Sequence, residues 1–367
     1  MKLTIQVTDF ANTLKQVCRV ALRNSGDILG QVLLDATTTG LAISAQNGKQ
    51  QISVSPAASA LTVEAPGAIC VNAAKLEQVI LSLPKDKAVS IALKDDKLQI
   101  SSGRSRFNLV TIAAVNFPSV DFPDQEVLGE LSIDGGALTT ALRQVGFCAG
   151  RNDVRYYLNG VLFELTPGNL TLAATDGHRL GVTDVSVTST LSGQFILPST
   201  CIEDVAGFCG SGDVEVAFSK QMVRYTTRSG VLFSRLVDGT FPKYRNLVTN
   251  AAKGMIARVD RNEIASAVAR VTLLSDSKMP AVKLTLNNDE ISIQSVSTDV
   301  LNEANDVLPC SYNSEPLVIG MNGAMTTELL RALGSDEVDL YFNDGSGTLF
   351  NSKEFPSHSF VLMPVRL

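Results

Sequence analysis

A chain of 367 residues, 45% of them hydrophobic, exceeds what one core holds, because single cores rarely grow beyond ~250–300 residues. Its net charge of −6 argues against general affinity for nucleic acid, which calls for a positive surplus, so any such contact has to come from a local stripe. With His178 and His358 as the only histidines, a multi-histidine metal centre is excluded; phosphate-loop, HExxH and GxSxG signatures are absent too, so neither a metal nor a cofactor is expected.

The start, Met1-Lys2-Leu3-Thr4-Ile5-Gln6-Val7, alternates polar and apolar residues as a strand does and lacks the apolar run of a secretory signal. No stretch approaches the ~18 apolar residues of a membrane span. The six cysteines (Cys18, Cys70, Cys148, Cys201, Cys209 and Cys310) lie far apart without a CxxC pair, and read as reduced, buried thiols of a cytoplasmic protein.

A strand-then-helix pattern opens the chain and returns twice. Leu3-x-Ile5, Leu14 and Gln16-Val17 recur 128 positions on as Leu131-x-Ile133, Leu142 and Gln144-Val145. Ile133-Asp134, Leu138, Leu142 and Val145 then recur as Val259-Asp260, Ile264, Val268 and Val271, at an offset of 126. Each copy holds a second such unit: Ile69-Cys70-Val71-Asn72 before Leu76-Glu77-x-Val79, Phe195-Ile196-Leu197-Pro198 before Ile202-Glu203-x-Val205, and Leu317-Val318-Ile319 before Met321-Asn322 and Leu329-Leu330. Alternating strands follow at Val89–Ile91, Val214–Val216 and Val338–Leu340. Breaks near Phe117-Pro118 to Gly129 and Phe241-Pro242 to Gly254 set three domains, 1–125, 126–251 and 252–367, each of two strand-helix-strand modules. The class is α+β, antiparallel sheet with helices on one face.

The first helix, expected from about Thr8 to Asn24, carries Lys15, Arg19 and Arg23 at successive i, i+4 steps. Each step drifts only ~40° around the axis, so the three cations share a stripe nearly opposite Phe10, Leu14, Val17 and Ala21. One such stripe is an ordinary solvated face. Its equivalents, Arg143 and Arg151 in the second copy and Arg261, Arg270 and Lys278 in the third, strengthen it, against Glu263. The second helices are mixed, with Lys75 and Arg331 but also Glu203 and Asp204. Contact with duplex DNA along these helices would be loose, sequence-independent and salt-sensitive.

Five segments in order carry a resemblance: Ser102-Gly103-Arg104-Ser105-Arg106-Phe107, Asp153-Val154-Arg155-Tyr156-Tyr157-Leu158-Asn159-Gly160, Thr175-Asp176-Gly177-His178-Arg179-Leu180, Leu236-Val237-Asp238-Gly239-x-Phe241-Pro242-x-Tyr244-Arg245 and Met363-Pro364-Val365-Arg366-Leu367. Together they span a chain that resembles the beta subunit of bacterial DNA polymerase III, the sliding clamp. The resemblance implies three clamp domains per chain and a head-to-tail homodimeric ring, helices inside and sheets outside, encircling duplex DNA without catalysing a reaction. It implies DNA contacts at Lys15, Arg19, Arg23, Arg143, Arg151, Asn152, Tyr156 and Tyr157. The joint would set Phe107 and Leu109 against Leu273 and Leu274, with Lys75, Arg104 and Arg106 near the acids Asp299, Glu303 and Asp306. The family also docks peptides between its second and third domains, which carries over to Leu158, Thr175, Gly177, His178, Arg179, Leu180, Pro242, Asn246, Leu247, Val361, Leu362, Met363, Pro364, Val365 and Arg366. Asn246 stands where an arginine is common in relatives, and Ala74 where a base is. The implied partners are DNA polymerase III, the clamp loader, and other polymerases and repair proteins with short tails of glutamine and bulky apolar residues.

Two other readings start from the same residues. An enzyme would use Asp176, His178 and Ser199 or Cys201 as acid, base and nucleophile, but these segments form no known nucleophile setting. A clamp-like scaffold would bind peptides without closing on DNA.

Overall fold

A computed structural model describes residues 1–22, 25–276, 280–297, 303–343 and 347–367. The strand pairs described are antiparallel, and all six expected strand-helix units are present. Lys2–Gln6 enters α1 (Val7–Val20), Gly67–Asn72 enters α2 (Ala73–Leu81), and Gly129–Asp134 enters α3 (Gly135–Gly146). Gly193–Pro198 reaches α4 (Ile202–Cys209) through one 3-10 turn. After α5 (Arg245–Ala251), Met255–Asp260 enters α6 (Arg261–Thr272) and Leu317–Asn322 enters α7 (Gly323–Leu333).

The abrupt switch from strand to helix has a local cause. In four units the last strand residue is Asn or Asp, and its side chain accepts the N–H three residues on: Asn72 from Lys75 (3.0 Å), Asp134 from Ala137 (2.8 Å), Asp260 from Glu263 (2.8 Å) and Asn322 from Met325 (3.0 Å). Such a cap satisfies an otherwise orphaned donor, and its loss to alanine costs about 0.5–2 kcal/mol. At α1, which lacks a side-chain cap, the Val7 N–H instead reaches the Lys87 carbonyl at 3.0 Å.

Two compact units result. The first comprises Met1–Thr139, Thr166–Gly168 and Val187–Leu236; the second comprises Thr140–Leu165, Asn169–Ser186 and Val237–Leu367. The middle repeat is therefore shared out. In the first unit a 13-stranded sheet runs Gly129–Asp134, Asp213–Phe218, Met222–Thr227, Gly230–Arg235, Gln50–Val54, Leu41–Gln46, Gln31–Ala36, Gly67–Asn72, Ser105–Ala113, Lys97–Ser102, Ala88–Lys94, Lys2–Gln6, Leu61–Ala65. The middle repeat joins it where Leu232 pairs with Ile52. In the second unit Asn169–Thr175, Arg179–Ser186, His358–Leu362, Gly347–Asn351, Glu337–Asn343 and Met255–Asp260 are neighbours in that order, and Gly181 pairs with Phe360 where middle and third repeats meet. A separate sheet runs Asn305–Pro309, Glu290–Ser295, Ala281–Asn287, Leu317–Asn322.

The helices cover these sheets with the faces the periodicity assigns. Phe10, Leu14 and Val17 of α1 are fully buried, each contributing about 1.5–3 kcal/mol relative to exposure. In the second unit α6 packs on α7, burying Ile264, Val268 and Val271 with Leu329 and Leu330. All six cysteines are buried thiols, none in a disulfide among the described residues. Among the described residues no helix is long and apolar enough to cross a membrane.

Two expectations about helices need correction. α1 ends at Val20, because Ala21 turns extended (φ −62°, ψ 141°) and the Leu22 N–H goes to the Leu29 carbonyl at 2.9 Å. Arg23, expected on this helix, lies outside the described residues. The break expected at Phe241 to Gly254 contains α5, and its end needs glycine: a Cβ on Gly254 would come within 2.3 Å of the Phe342 carbonyl oxygen.

Candidate peptide-docking groove and ring surfaces

In the second unit, strands Asn169–Thr175 and Arg179–Ser186 are joined by a tight turn whose polar groups are paired internally. Asp176 Oδ1 accepts the N–H of His178 and of Arg179, both at 2.9 Å, while Thr175 Oγ1 donates to the Arg179 carbonyl at 2.6 Å. Gly177 takes φ +89°, and a Cβ there would sit 3.0 Å from two nitrogens of the Arg155 guanidinium. That guanidinium grips Asp153 at 3.1 and 2.8 Å and donates to the Asp176 carbonyl at 3.2 Å. Arg179 is held by Asp176 (3.1 Å), Glu328 and the Phe147 carbonyl (2.8 Å), with its guanidinium over the Phe147 ring. The Arg155 hydrogen bonds hold the Asp153 carboxyl down at about 2.

Beside this turn runs strand His358–Leu362, and the Met363 N–H donates to the His178 carbonyl at 2.8 Å. Together they bound a groove of about 320 Å³. It brings together Leu158, Thr175, Gly177, His178, Arg179, Leu180, Pro242, Leu247, Val361 and Met363 from the expected set, and adds Arg155, Tyr157, Lys243 and Tyr244. Tyr244 is fixed by donating to Glu164 at 2.6 Å, and burial first, then that bond, pushes its phenol up. An apolar groove framed by pre-paired polar groups suits an extended apolar segment, and Met363 lets its wall adapt.

Five expected lining residues lie elsewhere. Leu362 alternates away from Val361 and Met363 and is 1% exposed. Pro364 and Val365 line a different cleft with Met255, Leu317 and Phe342, where the Val365 N–H meets the Gly320 carbonyl at 2.9 Å. Asn246, second in α5, and Arg366 are exposed and outside the lining. Tyr157, expected at DNA, faces the groove, because the 3-10 turn Tyr156–Leu158 divides the tyrosines and leaves Tyr156 58% exposed. Arg155, Tyr157 and Tyr244 fall inside the motifs that carry the resemblance; Lys243 occupies a position that its motif leaves unspecified and had no signal of its own.

The cations are unequally free. Lys15 is exposed on α1, whereas Arg19 leans on α4, 3.5 Å from the Glu203 carbonyl, with its guanidinium against Gly207. Arg143 is exposed on α3. Arg151 and Asn152 are exposed too, but in a loop, since α3 stops at Gly146; Asn152 adopts φ 58°. On α6, Arg270 is tied to Asp306 at 2.6 Å, and Lys278 lies outside the described residues.

Two sheet margins remain open. Strand Ser105–Ala113 pairs with Lys97–Ser102 along its first part, but Gly67–Asn72 meets it only at Thr111, Ile112 and Ala113. On the other unit Asn305–Pro309 pairs on one side only among the described residues. Arg104 and Arg106 are exposed, Phe107 and Leu109 half-buried, and Lys75 exposed in the first turn of α2. Leu273 is 82% and Leu274 41% exposed just after α6. Of the expected acids, Glu303 is exposed, Asp306 is engaged by Arg270, and Asp299 lies outside the described residues. Of the groups considered for an enzyme, Asp176 serves its turn, and burial pushes the Cys201 thiol up.

Three antiparallel repeats, each built from two strand-helix units, define a clamp-type fold. Family models of the DNA polymerase III beta subunit match the chain in three consecutive pieces: the N-terminal domain over residues 1–121, the central domain over 132–243 and the C-terminal domain over 249–366. The beta sliding clamp of Pseudomonas aeruginosa is 33% identical over 309 residues, 82% of this chain and 83% of that protein. The Vibrio cholerae beta sliding clamp is 29% identical with both chains fully covered. A crystal structure of the Pseudomonas aeruginosa DNA polymerase III subunit beta superposes with a TM-score of 0.93 at 30% identity over the whole of both chains, and another clamp structure from that organism is bound to griselimycin. The chain belongs to the DNA polymerase III beta subunit family, the beta sliding clamps.

Proposed function

We propose that this clamp closes as a head-to-tail homodimer around duplex DNA in the cytoplasm and tethers DNA polymerase III, the clamp loader and repair proteins by their short tails, itself without catalytic activity. The groove carries the reading: ten residues expected as peptide contacts line one apolar depression, and the backbone of the turn beside it is already paired. The first part of Ser105–Ala113 and the outer edge of Asn305–Pro309, both without a second strand among the described residues, and the exposed Leu273 support closure, since unpaired edges are templates for another chain and a heterologous joint can close into a ring. Exposed Lys15 and Arg143, with Arg151 and Asn152 on their loop, support backbone contact with DNA that is blind to sequence. Domain limits at 125/126 and 251/252 follow the repeats.

The decisive experiment assembles the protein on nicked circular DNA with a clamp loader and follows retention before and after linearisation. Retention on the circle with loss on the linear form is expected. Release from both favours the peptide-binding scaffold that never closes, a reading the internal use of Asp306 by Arg270 supports.

A further inference from the structure

We propose that the groove selects partner segments carrying carboxylates beside their apolar anchors, with Lys243 as the selecting residue; this rests on the docking reading above. No aspartate or glutamate is among the fourteen groove-lining residues, while Arg155, His178, Arg179 and Lys243 are, in a chain whose net charge is −6. Two of these cations are already neutralised: Arg155 by Asp153 at 2.8 Å, and Arg179 by Asp176 at 3.1 Å and by Glu328. Arg245, next in sequence to Tyr244, is likewise engaged by Glu164 at 2.6 Å. Lys243 differs. It is exposed, it lines the groove between Pro242 and Tyr244, and it makes no hydrogen bond or ion pair among the described residues.

The neighbouring walls fix what that ammonium can meet. Pro242 and Leu247 line the same groove and offer apolar surface, so a segment seated against them brings its flanking residues within reach of Lys243. Charges at such a rim stay partly hydrated; they set partner choice and encounter rate more than total affinity. A carboxylate flank is therefore expected to tighten binding about three- to fivefold at low ionic strength, the upper range of exposed ion pairs, and to lose that advantage in salt.

The test uses the full chain and a fluorescein-labelled peptide bearing one glutamine and two bulky apolar residues, in versions flanked by three aspartates or by three asparagines. Fluorescence anisotropy with the parent should favour the aspartate version about three- to fivefold. In Lys243→Gln the two should bind alike, and in Lys243→Glu the asparagine version should bind better. If both peptides bind the parent equally, the docking reading stands and the inference falls; if neither binds, the docking reading has failed and the inference goes with it. A labelled single-stranded oligonucleotide run in parallel covers the other anionic ligand. Should Lys243→Gln weaken the oligonucleotide while leaving the peptide ratio unchanged, the lysine serves nucleic acid and the inference is overturned.

Discussion

Around the groove, the backbone of the Thr175–Leu180 turn is bound within the chain, whereas the outer edge of Asn305–Pro309 meets no strand among the described residues. The groove holds its apolar walls steady without help, so a segment entering it need not reorganise the protein, which spares binding the cost of ordering. The open margin offers the reverse: an edge whose outer groups meet no strand among the described residues, on a unit that also exposes Leu273 and Leu274, a surface that gains stability when covered. A difference of this kind separates a site for exchangeable partners from one for a standing partner.

The largest effect should come from the margin. Leu273→Ala with Leu274→Ala removes two exposed leucines, each worth about 1.5–3 kcal/mol if a second copy buries it. Dimerisation should weaken by about a hundredfold or more, leaving a folded monomer in sedimentation at micromolar concentration. A persistent dimer of unchanged stability would move the joint elsewhere. In the groove the expected change is smaller. Met363→Ala should weaken a tail peptide about tenfold, with the dimer mass unaltered. Leu180→Ala is a poorer probe, because Leu180 is 2% exposed and its truncation costs about 2–5 kcal/mol of stability as well. Equal peptide affinity in Met363→Ala and parent would show that this wall takes no part.

The two regions were also unequally legible. The units could be read because periodicity and cap coincide: Asn72, Asp134, Asp260 and Asn322 each end a strand and open a helix. Much of the groove could be read because its walls sit in the short segments that carry the family resemblance. What escaped depends on tertiary neighbours. That α1 stops at Val20 follows from the Leu22–Leu29 hydrogen bond, and the capture of Asp306 by Arg270 joins residues far apart in sequence. Helix α5 hides in a stretch whose proline and glycine read as a break; of its seven residues only Ala251 is buried, so no apolar stripe marks it.

Two carboxylates sharpen the comparison through pH. Near the groove, Asp153 is held down at about 2 by Arg155, whereas on α4 burial pushes Asp204 up to about 6, with Arg19 opposing and Glu203 reinforcing. A raised carboxyl favours the folded state while protonated, so its contribution is present below the unfolded value near 4 and is lost as pH rises through about 6. Asp204→Asn should therefore raise the thermal midpoint at pH 7.5 and leave it unchanged at pH 4. Asp153 has the opposite sign, keeping its contribution above about 4 and losing it as pH falls towards 2, so Asp153→Asn should lower the midpoint at pH 7.5 and converge on the parent in strong acid. Parallel pH profiles for parent and Asp204→Asn would show that this aspartate is not strained.

The smallest expected effect concerns the helix face and separates its cations by how free they are. Lys15 stands clear on α1, whereas Arg19 lies against α4 with its guanidinium at the Glu203 carbonyl. An ammonium in water can approach a phosphate and release a counterion, which contributes about 0.9 to the slope of log affinity against log salt for each phosphate neutralised. Arg19 has to leave its carbonyl first, so its share should be less. Measured as the salt dependence of retention on closed circular DNA, Lys15→Gln should lower the slope by up to about 0.9, equally on circles of different sequence, since a phosphate contact carries no base information. Arg19→Gln should lower it less, and the double substitution should approach the sum. Equal effects from both residues would mean that Arg19 swings free when DNA is present. A slope untouched by Lys15→Gln, or a loss that depends on base composition, would remove α1 from the DNA-facing surface.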